Sequence, residues 1–204
     1  MADTYSNFSE LAKSEKEGRD FCVRTRNSGS ATVIIAPHGG GIEPGTSEIA
    51  DAIAAGDLSF YAFEGIKASG NGHLHITSTR FDEPRCVALV EDSTLAISVH
   101  GEDSSRDVAF LGGRDCQTLN RLRASLERRG FCVGRHHHHG LQGRDPGNIC
   151  NRTKSEEGVQ LELSRGLRRS FFRSLSKNGR REQTERFRTF VTAVREAIQP
   201  VGQL

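Results

Sequence analysis

Two histidines and a glutamate follow apolar segments in an arrangement that could build a zinc site. His38 comes after the apolar stretch 32–36, and three glycines and an isoleucine separate it from Glu43. Glycines let the backbone turn tightly, so the side chains of His38 and Glu43 can converge on one point. His100 ends a second apolar stretch. Imidazole nitrogens and carboxylate oxygens are suitable zinc ligands, and three of them leave a fourth tetrahedral position for water.

A third polar position lies inside the apolar stretch 159–163, where Glu162 has apolar neighbours. A carboxylate seldom occupies a core strand without a partner or a task. Each position also has a non-catalytic interpretation. A loop histidine can hydrogen-bond the backbone, the glycines could cradle a phosphate, and Glu162 shares one strand face with Gln160, which could point outward. The combination of all these positions is much rarer than any one of them, and it favours a metal site with a nearby carboxylate.

Short apolar or β-branched runs alternate with stretches of helical periodicity, and this alternation predicts the fold. Strands are expected at 32–36, 58–63, 73–77, 95–99, 108–111, 131–133 and 159–163. Helices are expected at 46–55 with Thr46 or Ser47 as N-cap, at 116–129 with Asp115 as N-cap, and at 182–198. The pattern predicts a single α/β domain over residues 1–204, with an open, mixed and largely parallel sheet flanked by helices. In such sheets, functional groups gather beyond the carboxyl ends of strands.

The composition excludes several classes of protein. The chain has 204 residues, with 28 Lys and Arg against 26 Asp and Glu, and a formal charge of +2. Its apolar runs are shorter than the roughly 18 residues that suggest a membrane span, and residues 1–20 lack the apolar segment of a signal peptide. Five widely spaced cysteines without a CxxC pair argue against a disulfide framework or a cysteine zinc site. We therefore expect a cytoplasmic protein without membrane contact.

Basic residues and histidines are unevenly distributed along the chain. Ten basic residues but only two acidic ones lie between positions 165 and 195. This run could face a polyanion, although charged helix positions are more often just a solvated face. Four consecutive histidines at 136–139 could bind metal adventitiously. Adjacent side chains point in different directions, however, so an exposed loop is the simpler interpretation.

Several segments together resemble one family, the phage poly-γ-glutamate hydrolases, which are zinc enzymes with a fold similar to that of carboxypeptidase A type metallopeptidases. The segments are PHGGGIEPGTSE at 37–48, SVHG at 98–101, NICNR at 148–152 and GVQLELS at 158–164. The resemblance covers roughly residues 5–198. It implies a zinc carboxypeptidase-like α/β fold and hydrolysis of γ-glutamyl amide bonds in poly-γ-glutamate, a polyanion with one free α-carboxylate per residue.

The resemblance also implies roles for individual residues. His38, Glu43 and His100 would bind zinc, and Glu162 would take a proton from the attacking metal-bound water and return it to the departing amine. Arg152, with Asn151 before it, is similar to the Asn-Arg pair that holds a substrate carboxylate in carboxypeptidase-like enzymes. A structural ion pair is the alternative role for this arginine.

Two other functions remain open at this point. A strand followed by His-Gly-Gly, a later strand ending in histidine and a late glutamate are also similar to zinc N-acetylmuramoyl-L-alanine amidases, which act on peptidoglycan. A basic nucleic-acid-binding protein is disfavoured, because the arginine-rich segment offers few aromatic side chains for base stacking. We expect a monomeric enzyme that stays in the cytoplasm or is released by phage lysis.

Overall fold

A sheet of seven strands lies at the centre of residues 3–198, which the computed structural model describes. The strands are β1 (Phe21–Arg26), β2 (Thr32–Gly40), β3 (Ser59–Gly65), β4 (Leu95–Glu102), β5 (Ala109–Gly113), β6 (Val133–Gly134) and β7 (Val159–Ser164). Their spatial order is β1-β3-β2-β4-β7-β5-β6. The central strands β3, β2, β4 and β7 run parallel, whereas β1 is antiparallel to β3 and β5 is antiparallel to β7. The predicted mixed, largely parallel sheet is confirmed.

Helices cover both faces of this sheet. They are α1 (Phe8–Ser14), α2 (Thr46–Ala54), α3 (Pro84–Asp92), α4 (Cys116–Arg128), α5 (Arg165–Ser170) and α6 (Glu185–Ile198). One core cluster joins α2, α4, α5 and α6 to the sheet, and a second joins α1 and α3 to the opposite face. Ile34 points into the first cluster, whereas Val33 and Ile35 point into the second. Consecutive apolar residues in the central strands are therefore required, because both faces are buried.

Six of the seven predicted strands and all three predicted helices are confirmed, with shifted ends. The prediction of a strand at 73–77 is wrong, because Asn71–Leu74 forms a 3₁₀ helix. The segment 73–77 has alternating apolar residues because Leu74 and Ile76 both pack into the second core cluster, although neither belongs to the sheet. Thr46 and Ser47 are not the N-cap of α2, a position held by Gly45 with φ 101°. Strand β1 and helices α1, α3 and α5 were not predicted.

The basic run at 165–195 does not form one free cationic surface. Arg168 is buried, and Arg180 pairs with Glu48 at 2.6 Å. Four more of its arginines hold ion pairs with acidic residues, namely Arg173, Arg186, Arg188 and Arg195. Most of the positive charge of this run is therefore balanced within the folded chain.

None of the helices described here has the length and apolar composition that crossing a bilayer would require. The five cysteines are free thiols, as predicted. The extent of the domain over residues 1–204, the cytoplasmic location and the monomeric state stay predictions.

Candidate metal centre

The glycine-rich connection between β2 and α2 brings His38 and Glu43 together. The backbone N–H of Glu43 donates to the carbonyl oxygen of His38 at 2.9 Å, so the chain folds back directly after the strand. Gly40 has φ 65°, and a Cβ atom there would lie 2.5 Å from the carbonyl oxygen of Gly65. Its N–H donates to the hydroxyl oxygen of Ser47 at 2.8 Å. Glycine is required at this turn, and the start of α2 fixes it.

His38 directs one ring nitrogen into the site and the other away from it. Its Nε2 lies 2.8 Å from the carbonyl oxygen of Ile76, which can only accept a hydrogen bond, so Nε2 carries the proton. Its Nδ1 lies 3.1 Å from Oε1 of Glu43. A histidine whose outer nitrogen donates to a backbone carbonyl is oriented as metal-ligating histidines usually are.

His100 approaches the same point from β4. Its Nδ1 lies 3.1 Å from Nδ1 of His38 and 3.8 Å from Oε2 of Glu43. Its Nε2 faces the hydroxyl of Ser78 at 3.4 Å. The N–H of Gly101 donates to Oε2 of Glu43 at 2.7 Å and so links the glutamate to the end of β4. The three side chains predicted as metal ligands are therefore brought together.

This donor set fits a zinc ion. Two imidazole nitrogens and a carboxylate converge, and lone pairs that face one another at 3.1 Å need a proton or a cation between them. In a tetrahedral site with bonds of about 2.0–2.2 Å, neighbouring ligand atoms lie roughly 3.3–3.6 Å apart. Nδ1 of His38 lies slightly closer than that to Oε1 of Glu43 and to Nδ1 of His100, at 3.1 Å each. Nδ1 of His100 lies slightly farther, 3.8 Å, from Oε2 of Glu43.

His75 is a site residue that the sequence analysis missed. Its Nδ1 lies 2.7 Å from Oδ1 of Asp3, and its Nε2 lies 4.0 Å from Oε1 of Glu43. The ligand atoms of His38, Glu43 and His75 all lie within 4.8 Å of one another, so this trio is itself a candidate metal group. The predicted strand at 73–77 conceals this residue, because His75 in fact follows the 3₁₀ helix Asn71–Leu74.

The pKa values of these groups follow from burial and from the charge of Glu43. Burial lowers the pKa of His100 to about 3, so His100 is neutral and able to ligate at physiological pH. Burial also disfavours the charged form of His38, but the negative charge of Glu43 outweighs this effect and raises the pKa of His38. For Glu43, burial is likewise outweighed by His38, and its pKa is lowered. Glu43 is therefore a carboxylate ready to bind a cation.

Glu162 lies next to this centre on β7. In the parallel pairing of β4 with β7, Glu162 stands opposite His100. The amide of Gln160 donates to Oε1 of Glu162 at 2.8 Å, and the amide of Asn148 donates to Oε1 of Gln160 at 2.8 Å. Burial, together with repulsion from Glu43, raises the pKa of Glu162 well above its ordinary value. Gln160, noted in the sequence only for sharing a face, holds this carboxyl in place.

Arg168 ties together the strand ends that carry the site. Its side chain is buried and donates to three carbonyl oxygens, those of Pro44 at 2.7 Å, Glu102 at 3.0 Å and Leu163 at 3.0 Å. These carbonyls follow Glu43, His100 and Glu162 by one or two positions. A Cβ atom at Gly101 would lie 2.6 Å from Cζ of Arg168, so the guanidinium packs directly on that glycine.

Asn151 and Arg152 lie in the loop before β7. The amide of Asn151 is buried, donates to the carbonyl oxygens of two loop residues and accepts from the N–H of Gly158. Arg152 donates through Nε to Gly147 and through one terminal nitrogen to Thr79. Binding of a substrate carboxylate by this pair stays a prediction. The geometry favours Arg152, because the amide of Asn151 is engaged within the loop.

Comparison with known proteins identifies the family. The family model described as Poly-gamma-glutamate hydrolase matches residues 5–193. The chain belongs to the poly-γ-glutamate hydrolase family. It is therefore a hydrolase, and the resemblance drawn from the four sequence segments is confirmed.

Relatives of this family member are found among curated proteins and solved structures. The chain is 40% identical over 190 residues to the UPF0714 protein YndL of Bacillus subtilis (strain 168), covering 92% of this chain and 75% of YndL. It is 38% identical over 180 residues to the SPbeta prophage-derived protein YoqZ of the same organism, covering 88% of this chain and 65% of YoqZ.

Two solved structures share the fold closely. A bacteriophage poly-γ-glutamate hydrolase superposes with a TM-score of 0.93 at 34% identity, with 96% of each chain covered. A zinc-free apo structure of YndL also gives a TM-score of 0.93, at 37% identity, and covers 99% of this chain and 100% of that one. The seven-stranded architecture is therefore that of the family.

Replacing Arg168 with lysine is expected to destabilise this hydrolase. Lysine keeps the charge but cannot reach three carbonyls in different directions, so buried oxygens lose their donors. We expect the free energy of unfolding, measured by urea denaturation, to fall by about 3 kcal/mol. Arg169→Lys, at the exposed neighbouring position, is the control and should change it by less than about 0.5 kcal/mol. Equal stability of Arg168→Lys and wild type would contradict the structural role of Arg168.

Replacing Glu162 with glutamine is expected to stabilise the chelator-treated protein in a pH-dependent manner. Because the pKa of Glu162 is raised in the folded state, the native protein loses stability as pH rises from the ordinary carboxyl pKa of about 4.3 toward the folded value. Glutamine does not ionise and avoids this loss. Urea denaturation should show similar stabilities near pH 4 and a gain of about 1 kcal/mol or more at pH 8. A difference that is constant with pH would contradict the raised pKa.

Proposed function

We propose that this protein is a zinc-dependent hydrolase that cleaves γ-glutamyl amide bonds in poly-γ-glutamate. The observation that carries the proposal is the convergence of two imidazole nitrogens and one carboxylate, at 3.1–3.8 Å, beside the buried carboxyl group of Glu162. Membership of the poly-γ-glutamate hydrolase family supports the substrate. The YndL structure is described as the zinc-free apo form, and this description supports zinc as the metal.

His38, Glu43 and His100 are the proposed zinc ligands. The Nδ1 atom of His100 is closer to its neighbours than Nε2 of His75, which lies 4.0 Å from Glu43. The ring of His75 also lies against that of His38, with centroids 4.0 Å apart and an angle of 32°. Ligand rings around one ion radiate from it, so such stacking disfavours His75 as a ligand of the same ion. The side chain of His75 is 35% exposed, whereas those of His38 and His100 are 2% and 3% exposed.

Zinc, when bound, supplies a Lewis acid that polarises the scissile carbonyl and lowers the pKa of a coordinated water toward about 7. Glu162 then acts as the general base and acid. Its carboxylate form accepts the proton of the attacking water and delivers it to the departing amine. The amide of Gln160 holds Oε1 at 2.8 Å and leaves Oε2 for this exchange.

Arg152 is the proposed anchor for a substrate carboxylate near the scissile bond. Two of its guanidinium nitrogens already donate to loop carbonyls, which fixes the plane of the group. A preorganised guanidinium loses little conformational freedom on binding a carboxylate.

Purified, zinc-loaded protein is expected to depolymerise poly-γ-glutamate, as measured by the loss of high-mass polymer in size-exclusion chromatography. A chelator should abolish the loss, and added zinc should restore it. Glu162→Gln should lower the rate by roughly 10²- to 10⁴-fold, the usual contribution of a positioned general base. The folded state of this variant is checked by the urea experiment described above.

Two results would contradict the proposal. Intact polymer in the presence of bound zinc would exclude poly-γ-glutamate as the substrate. Release of muropeptides from peptidoglycan, without depolymerisation of poly-γ-glutamate, would instead favour the N-acetylmuramoyl-L-alanine amidase activity.

The ligand assignment predicts different zinc affinities for two histidine variants. His100→Ala should weaken zinc binding by at least about 100-fold, since loss of even an outer-shell partner costs 10- to 100-fold. His75→Ala should weaken it by less than about tenfold. Affinity is measured by competition with a chromophoric chelator, in a background with glutamines in place of the histidines at 136–139. A larger loss for His75→Ala than for His100→Ala would contradict the assignment.

A further inference from the structure

A second concave site lies at the far edge of the sheet, between β5, α4 and the loop that follows β6. It is a cavity of about 190 Å³. Its floor includes Leu111 and Leu119, and three arginines from separate parts of the chain border it, namely Arg123, Arg135 and Arg144. None of the metal-centre residues lines this cavity, so it is distinct from the site described above.

The cavity is positively charged. No aspartate or glutamate is among its lining residues within the described part of the chain. Arg123 meets Glu127 at 3.4 Å in an exposed pair, which is a weak interaction. Arg135 donates to the neutral amide oxygen of Gln142 at 2.7 Å. Arg144 is exposed and, among residues 3–198, forms no ion pair. Three cations therefore face one small space without a neutralising carboxylate inside it.

The lining chemistry favours a carboxylate on an aliphatic chain over a nucleotide. Leucine side chains and two glycines form the apolar part of the cavity, which suits methylene groups. Its lining has no aromatic side chain in the described residues, so bases would have no stacking platform. Guanidinium groups bind carboxylates through paired hydrogen bonds.

The cavity is connected to Glu162 through one short stretch of structure. Gln142, a lining residue, is adjacent to Leu141, whose carbonyl oxygen accepts from the amide of Gln160 at 3.3 Å. The same amide holds Glu162 at 2.8 Å. Phe110 pairs directly with Glu162 across β5 and β7, and the cavity begins at the next residue of β5. From strand dimensions, the backbone of Glu162 lies on the order of 10 Å from that of Gly112 in the cavity lining.

We propose that this arginine-lined cavity is a subsite for poly-γ-glutamate and binds an α-carboxylate of a residue distant from the scissile bond. The proposal rests on the function proposed above, because a polymer with one carboxylate on each aliphatic repeat is the ligand that matches both features of the lining. A polymer held at Glu162 has further carboxylates within reach of the cavity. The subsite favours internal segments of long chains over short oligomers.

The test measures binding without turnover. Full-length, zinc-loaded protein carrying Glu162→Gln is titrated against fluorescently labelled γ-linked polyglutamate, and affinity is read from anisotropy at low and high salt. In this background, Arg144→Gln combined with Arg123→Gln should raise Kd by about tenfold or more, since the carboxylate loses two charged hydrogen-bond donors. The salt dependence of Kd should also become shallower.

Arg181→Gln is the matched control. Arg181 is exposed and lies in the 3₁₀ segment beside Arg180, which pairs with Glu48 of α2. Helix α2 packs on β2, which is three strands away from β5 in the sheet. Arg181→Gln removes one positive charge away from the cavity, half of what the double variant removes, so Kd should stay within about twofold of the background value. Thermal melting of each variant confirms that its fold is retained.

Three outcomes would overturn the subsite. These are an unchanged Kd in the double variant, an equal loss in Arg181→Gln, or displacement of the polymer by single-stranded DNA at lower concentration than by unlabelled polyglutamate. Because the assay involves no hydrolysis, its result stands apart from the depolymerisation experiment. Polymer that binds through the cavity but is never cut would refute the proposed function and leave the subsite intact.

Discussion

The position of the metal centre depends on one buried cation, the guanidinium of Arg168. It donates to carbonyl oxygens just after Glu43, His100 and Glu162, and so fixes three strand ends relative to one another. Burial of a charge is costly unless hydrogen bonds satisfy it, and here three carbonyl oxygens do so. The negative charge of Glu43 acts on Arg168 from nearby and offsets part of that cost. Gly101 leaves the space that the guanidinium fills.

Sheet direction explains why the chemistry collects where it does. β2, β4 and β7 are neighbours and run parallel, so their carboxyl ends meet at one edge of the sheet. β5 runs the opposite way beside β7, and its carboxyl end therefore points away from the metal centre. The arginine-lined cavity forms at that reversed end. One change of strand direction thus separates the candidate metal centre from the arginine-lined cavity.

Local pattern was sufficient to predict the residues that end apolar strands. His38, Glu43, His100 and Glu162 each stand at or beside the end of a buried strand, and the topology brings all four together. His75 could not be predicted in this way, because a 3₁₀ turn and a contact with Asp3, 72 positions away in sequence, place it. The prediction that Thr46 or Ser47 caps α2 is wrong because a contact with the preceding turn engages Ser47. The hydroxyl of Ser47 accepts from Gly40 in the turn instead of capping its own helix.

The distribution of charged residues along the sequence does not predict where charge collects in the folded chain. The arginines at 165–195 are adjacent in sequence, yet the fold pairs several of them with distant acids such as Glu48, Asp57 and Asp107. Arg123 lies in a helix, and Arg135 and Arg144 lie in a loop that follows it in the sequence, yet all three converge on one cavity. A run of like charges within one segment repels itself, so a stable fold surrounds it with opposite charges. The three arginines at the cavity have no acidic residue among the described lining residues to balance them. An anionic ligand can balance their charge.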